Sequence, residues 1–191
     1  MRTASWVSGL LIACLSFADC NRKPNPPRDD TPAATTTAAS GPARVTGSGV
    51  QGGETFVDVQ VSGGRSIRLV LPRDATVGPE TAPERTTVVG EVPGTAIVLT
   101  DTYSSLAGGM SYCQAGEEQF LRVVPLAQGA PHDLATIKLA SCRENLELAD
   151  PGVDWIAPSR TVRIHWLSGP GGRPEVRDVV IDADGRVQRQ P

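Results

Sequence analysis

The sequence predicts an all-β domain, an antiparallel sandwich or small barrel of about eight short strands, stapled by one disulfide and preceded by a disordered tether. Three observations carry that prediction. Apolar and polar residues alternate in Phe56-Val57-Asp58-Val59-Gln60-Val61, the period of a strand with one buried face. Glycine and proline recur at short intervals, as in Pro93-Gly94, Gly129-Ala130-Pro131 and Gly169-Pro170-Gly171-Gly172, a punctuation that suits turns between strands. Two of the four cysteines, Cys113 and Cys142, fall inside the same stretch.

Residues 1–20 read as an export signal. Arg2 is followed by an apolar run from Trp6 to Ala18, too short to cross a bilayer by itself but of the length and polarity of a secretory signal. Within it, Leu11-Ile12-Ala13-Cys14 resembles the lipobox of bacterial lipoproteins, in which an aliphatic and a small residue precede the cysteine that becomes lipid-modified. Cys20 is the alternative, placed directly before the polar Asn21-Arg22-Lys23-Pro24, although Asp19 stands where the lipobox has a small residue. Cleavage after Ser16-Phe17-Ala18 would instead release a soluble periplasmic protein. With Leu15 rather than Asp after Cys14, the resemblance implies anchoring on the periplasmic side of the outer membrane.

Residues 21–53 are rich in Pro, Ala, Thr, Ser and Gly, as in Thr31-Pro32-Ala33-Ala34-Thr35-Thr36-Thr37. So few large apolar side chains cannot offset the entropy of ordering the chain. A disordered linker is expected here, stiffened by Pro24, Pro26, Pro27 and Pro32 and softened by Gly47-Ser48-Gly49.

Residues 54–191 suffice for one domain. Phe56–Val61 and Ser66–Leu71, joined by Ser62-Gly63-Gly64-Arg65, form a hairpin signal. Further strands are expected at Thr86–Val89, Ala96–Thr100, Glu118–Val124, Leu134–Ala140, Asn145–Leu148, Thr161–Leu167 and Val176–Ile181. Leu134–Arg143 has the residues of a helix, but Ala135, Ile137 and Leu139 alternate with Thr136 and Lys138, which favours a strand. Turns are expected at Asp150-Pro151-Gly152 and at Asp182-Ala183-Asp184-Gly185; the latter opens like a calcium loop but lacks an acid at the twelfth position.

An exported protein folds where paired thiols oxidise, so Cys113 and Cys142, 29 positions apart, are expected to form a structural disulfide. Closing that loop would remove about 3 to 4 kcal/mol of unfolded-state freedom. No CxxC motif or neighbouring histidine points to a metal or redox pair.

Catalytic motifs do not emerge. His165 alternates with Val162, Ile164 and Trp166 on a strand and faces away from them, while His132-Asp133 are adjacent residues whose side chains point apart on an extended chain. Nucleophile elbows, zinc helices and phosphate-cradling loops are missing from the sequence. The acids at Glu117-Glu118 and Glu144 to Glu147 could serve a carboxylate-based hydrolase, but nothing sets their separation. Binding is the favoured class: Trp166 is expected in the core, and Tyr103 and Trp155 are the candidates for exposed contact residues. The formal charge of −3 excludes a nucleic-acid partner and no cofactor is implied. The reading is a membrane-anchored envelope lipoprotein whose β domain binds an envelope protein or glycan without catalysis. A periplasmic inhibitor presenting the loop Gly108 to Glu118 is its rival.

Overall fold

β5 and β6 organise the fold, because their side chains feed two separate cores in alternation. A computed structural model of the chain describes residues 41–106, 116–126 and 134–188. Among them run ten strands: β1 (Arg44–Gln51), β2 (Glu54–Gln60), β3 (Ser66–Leu71), β4 (Arg85–Val92), β5 (Ala96–Ser104), β6 (Glu117–Pro125), β7 (Ala135–Ser141), β8 (Glu147–Ile156), β9 (Thr161–Ser168) and β10 (Glu175–Val180). They form three antiparallel sheets of order β1-β2-β3, β4-β5-β6-β7 and β10-β9-β8. The sheets are stacked rather than closed into a barrel, which removes one of the two expected architectures.

Ala96, Val98, Leu121, Val123 and Leu139 of the four-stranded sheet pack with Val162, Ile164 and Trp166 of the C-terminal sheet. Ile97, Leu99 and Val124 turn the other way, onto Val57, Val59, Val61, Leu69 and Leu71 of the N-terminal sheet. The four-stranded sheet is therefore covered on both faces. A strand covered on both faces reads as a nearly continuous apolar run, as Ala96-Ile97-Val98-Leu99 does, whereas β2 and β9 alternate because only one of their faces is buried.

The predicted hairpin is β2–β3, its register running from Thr55↔Leu71 to Gln60↔Ser66, with Gly63 and Gly64 at positive φ in the turn. Residues 135–141 are a strand, as their alternation predicts. Trp166 is buried and its Nε1 donates to the Leu139 carbonyl at 2.6 Å. The Asp182–Gly185 turn closes on Asp182 Oδ1, which accepts the backbone N–H groups of Asp184 and Arg186, both at 2.9 Å.

Two boundaries differ from expectation. The linker expected over residues 21–53 contains β1, paired to β2 from Arg44↔Gln60 to Gln51↔Glu54. Its glycines look like linker residues but serve the pairing: a Cβ on Gly49 would stand 3.1 Å from Phe56 Cζ, so the missing side chain makes room for the ring. Gly52 and Gly53, with φ of +59° and +79°, supply the two left-handed residues of a tight hairpin. In β8, the expected turn at Asp150–Gly152 is a bulge inside one strand, since the register jumps from Leu148↔Trp166 to Val153↔Ile164.

Candidate functional site

The face that β5, β6 and β7 turn toward the N-terminal sheet changes character along its length. At one end it carries Ile97, Leu99 and Val124. At the other, register places Asp101 opposite Phe120, Tyr103 opposite Glu118, Thr136 opposite Arg122 and Lys138 opposite Phe120. Charged and aromatic side chains thus share one buried surface.

Arg122 and Asp101 anchor this surface. Arg122 donates from Nε to Asp101 Oδ1 at 2.8 Å and from Nη2 to Oδ2 at 2.9 Å, while its Nη1 donates to Thr136 Oγ1 at 2.8 Å. Neither charged side chain is more than 2% exposed. The guanidinium also stands 4.6 Å from the Phe120 ring centre, whose edge contact with Tyr103 spans 5.8 Å. Burial, and then the Asp101 carboxylate beside it, pushes the Tyr103 phenol well above its usual pKa, so the group stays neutral.

The segment between β3 and β4 crosses this surface. Lys138 Nζ reaches Asp74 Oδ1 at 3.2 Å, Thr76 Oγ1 at 3.3 Å and Glu144 Oε1 at 2.5 Å. Burial works against the Lys138 ammonium, but its bonds to Glu144 and Asp74 outweigh it and hold the pKa above the ordinary lysine value. For Asp74, burial is likewise overcome, here by the Thr76 hydroxyl and N–H and by Lys138, and its pKa is lowered. Between segment and sheet lies a pocket lined by Asp74, Gly78, Thr81, Tyr103, Phe120 and Arg122, with a volume of about 20 Å³. That is room for a water molecule rather than for a substrate.

Glu118 occupies the end of this surface. It is fully buried; Ser105 Oγ donates to its Oε1 at 2.5 Å, and among the described residues its Oε2 has no hydrogen-bond partner. Two of the other acids weighed for hydrolysis have separate engagements: Glu117 with Arg85 at 3.8 Å and Glu144 with Lys138.

Both residues expected to be exposed for contact are otherwise placed. Tyr103 is 3% exposed, because β5 is covered on both faces. Trp155 is half-buried and lies flat against β4, where a Cβ on Gly90 would come within 2.5 Å of its Cγ. An indole beside a glycine backbone is a packing contact, so part of the surface exposure predicted at a loop-strand junction is lost to it. Cys14, Cys20, Cys113 and His132 lie outside the described residues.

Arg122 and Asp101 escaped the sequence reading although a signal for them exists. Each is a charge at an inward position of a strongly apolar strand, in Leu99-Thr100-Asp101 and Phe120-Leu121-Arg122-Val123-Val124. A charge in such a place requires a partner.

A second charged group lies on the outer face of β8–β10. Arg163 donates from Nε to Asp178 Oδ1 and from Nη2 to Oδ2, both at 2.8 Å. His165 Nε2 stands 3.2 Å from Asp154 Oδ2 without the alignment of a hydrogen bond. Leu167 and Val176 beside them are exposed. Among the described residues no three His, Cys, Asp or Glu side chains are grouped to hold a metal ion, and no helix is long and apolar enough to cross a membrane. Compared with known protein families, curated proteins and solved structures, the chain matches none.

Proposed function

We propose that the chain is an exported lipoprotein, modified at Cys14 or alternatively at Cys20, whose β domain works on the periplasmic side of the outer membrane by binding an envelope protein or glycan. The observation that carries this reading is Leu11-Ile12-Ala13-Cys14 within the apolar run behind Arg2.

The Cys113–Cys142 disulfide belongs to the same proposal, because an exported domain oxidises its paired thiols. It is supported by the packing of Cys142 against Gly116, three residues beyond Cys113 in the chain.

Intact mass of the mature protein extracted from membranes, with its N-terminal peptide sequenced, tests the anchor. A diacylated or triacylated chain beginning at Cys14 or Cys20 is expected. An unmodified chain beginning at Asp19 would sink the anchor and make the protein a soluble periplasmic one.

A further inference from the structure

The connection between β3 and β4, residues 72–84, is held down by polar ties. Pro83 is its one buried residue; the others are half-buried or exposed, whereas the Tyr103, Phe120 and Arg122 side chains beneath it are buried. Its attachments to the sheets are hydrogen bonds and an ion pair. Lys138 Nζ holds Asp74 and Thr76, the Leu106 N–H donates to the Thr76 carbonyl at 3.0 Å, and Thr55 Oγ1 donates to the Thr81 carbonyl at 3.0 Å. Inside the segment the Thr76 N–H donates to Asp74 Oδ1 at 2.8 Å and the Val77 N–H to the Asp74 carbonyl at 3.1 Å. Its C-terminal end is fastened separately, by the Glu84 N–H on the Thr102 carbonyl at 2.8 Å.

Water competes for every one of these ties, and each contributes little on its own. The sheets below are held by two apolar cores that the segment does not join: neither core cluster includes a residue from 72–84. A segment with polar attachments over an independently packed scaffold is a unit of low local stability. What it covers is equally unusual for a protein interior, the ion-paired Arg122 guanidinium and the Tyr103 side chain at the wall of a water-sized pocket.

We propose that residues 72–82 form a strap that opens as a unit while the three sheets remain folded, uncovering Arg122 and Tyr103 to solvent. Opening breaks the Lys138–Asp74 and Thr55–Thr81 attachments and leaves the Arg122–Asp101 pair intact, since both its members are on β5 and β6. The inference concerns the described domain alone and does not depend on export or lipidation.

Hydrogen exchange resolved to single amides, combined with hydroxyl-radical footprinting of Tyr103, tests it on the full chain. The amides of Thr76, Val77 and Leu106 are expected to exchange faster than those of β5 and β6 in the unaltered protein. Lys138→Met removes the ties to Asp74 and Thr76 and Thr55→Val the tie to the Thr81 carbonyl, both from the scaffold side, leaving the strap's own residues in place. Each variant is expected to speed strap exchange about five- to tenfold, to raise Tyr103 labelling, and to leave β6 exchange unchanged. Strap amides that exchange no faster than β6 amides would overturn the proposal. So would variants that leave strap exchange unaltered, that accelerate strap and β6 together, or that open the strap while Tyr103 stays shielded.

Discussion

Arg122 and Asp101 meet through two parallel hydrogen bonds of 2.8 and 2.9 Å inside a sheet that is packed on both faces. Removing two charges from water costs more than a single contact returns, so such a pair persists only because each member satisfies the other. Asp101→Ala would leave the guanidinium buried without its charge partner, with the Thr136 and Tyr103 hydroxyls beside it. Urea denaturation should show a loss of about 3–5 kcal/mol. The double variant D101L/R122M should recover most of that loss; if it is as unstable as D101A, the pair is not the cause.

Trp155 lies against the backbone of β4 at Gly90, where the β4–β5 register slips. Gly90→Ala would put a methyl group into the indole, and overpacking of this kind costs about 1–3 kcal/mol. Combining it with Trp155→Ala should cost less than the two single losses added together, because the second change removes the obstacle. Strict additivity of the measured losses would show that Gly90 is required for another reason.

The Asp182–Gly185 turn packs on the turn between β4 and β5. Gly185 has φ of +82°, and a Cβ there would stand 2.5 Å from the Thr95 carbonyl oxygen. Gly185→Ala meets both backbone strain and a backbone oxygen that a side-chain rotation cannot move aside. A loss of about 1–3 kcal/mol is expected, with thermal melting as the check. An unchanged melting temperature would mean that the two turns can separate freely.

Asp74 and Lys138 give the strap a pH dependence whose sign follows from their shifts. The Asp74 pKa is lowered below its usual 3.8, so its stabilisation is present above that value and is lost as pH falls through the lower folded one. The Lys138 pKa is raised above 10.5, so its contribution is present below that value and is lost as pH rises through the higher folded one. Strap exchange, corrected for intrinsic chemistry, should be slowest between these limits. Asp74→Asn should flatten the acid limb; an identical acid limb in that variant would remove Asp74 as its source.

Sequence alone determined the class of structure and most of its elements. Period-two alternation specifies which face of β2 and β9 is buried, and the glycines of Ser62-Gly63-Gly64-Arg65 specify the hairpin, since both are local properties of the backbone. The same local logic held residues 135–141 as a strand against their helical composition. It failed at β1, because a glycine that makes room for a neighbour's ring cannot be told from a linker glycine until the neighbour is known. It failed at Asp150–Gly152, where only the partner strand decides between a turn and a bulge. Tyr103, placed for contact by its polar neighbours, went inside because the sheet it belongs to is covered on both faces. The pairing of Arg122 with Asp101, 21 positions away in the chain, required β5 and β6 to be in register, and the tertiary structure alone supplies that relation, because long-range pairing is a property of the packed sheet rather than of either strand.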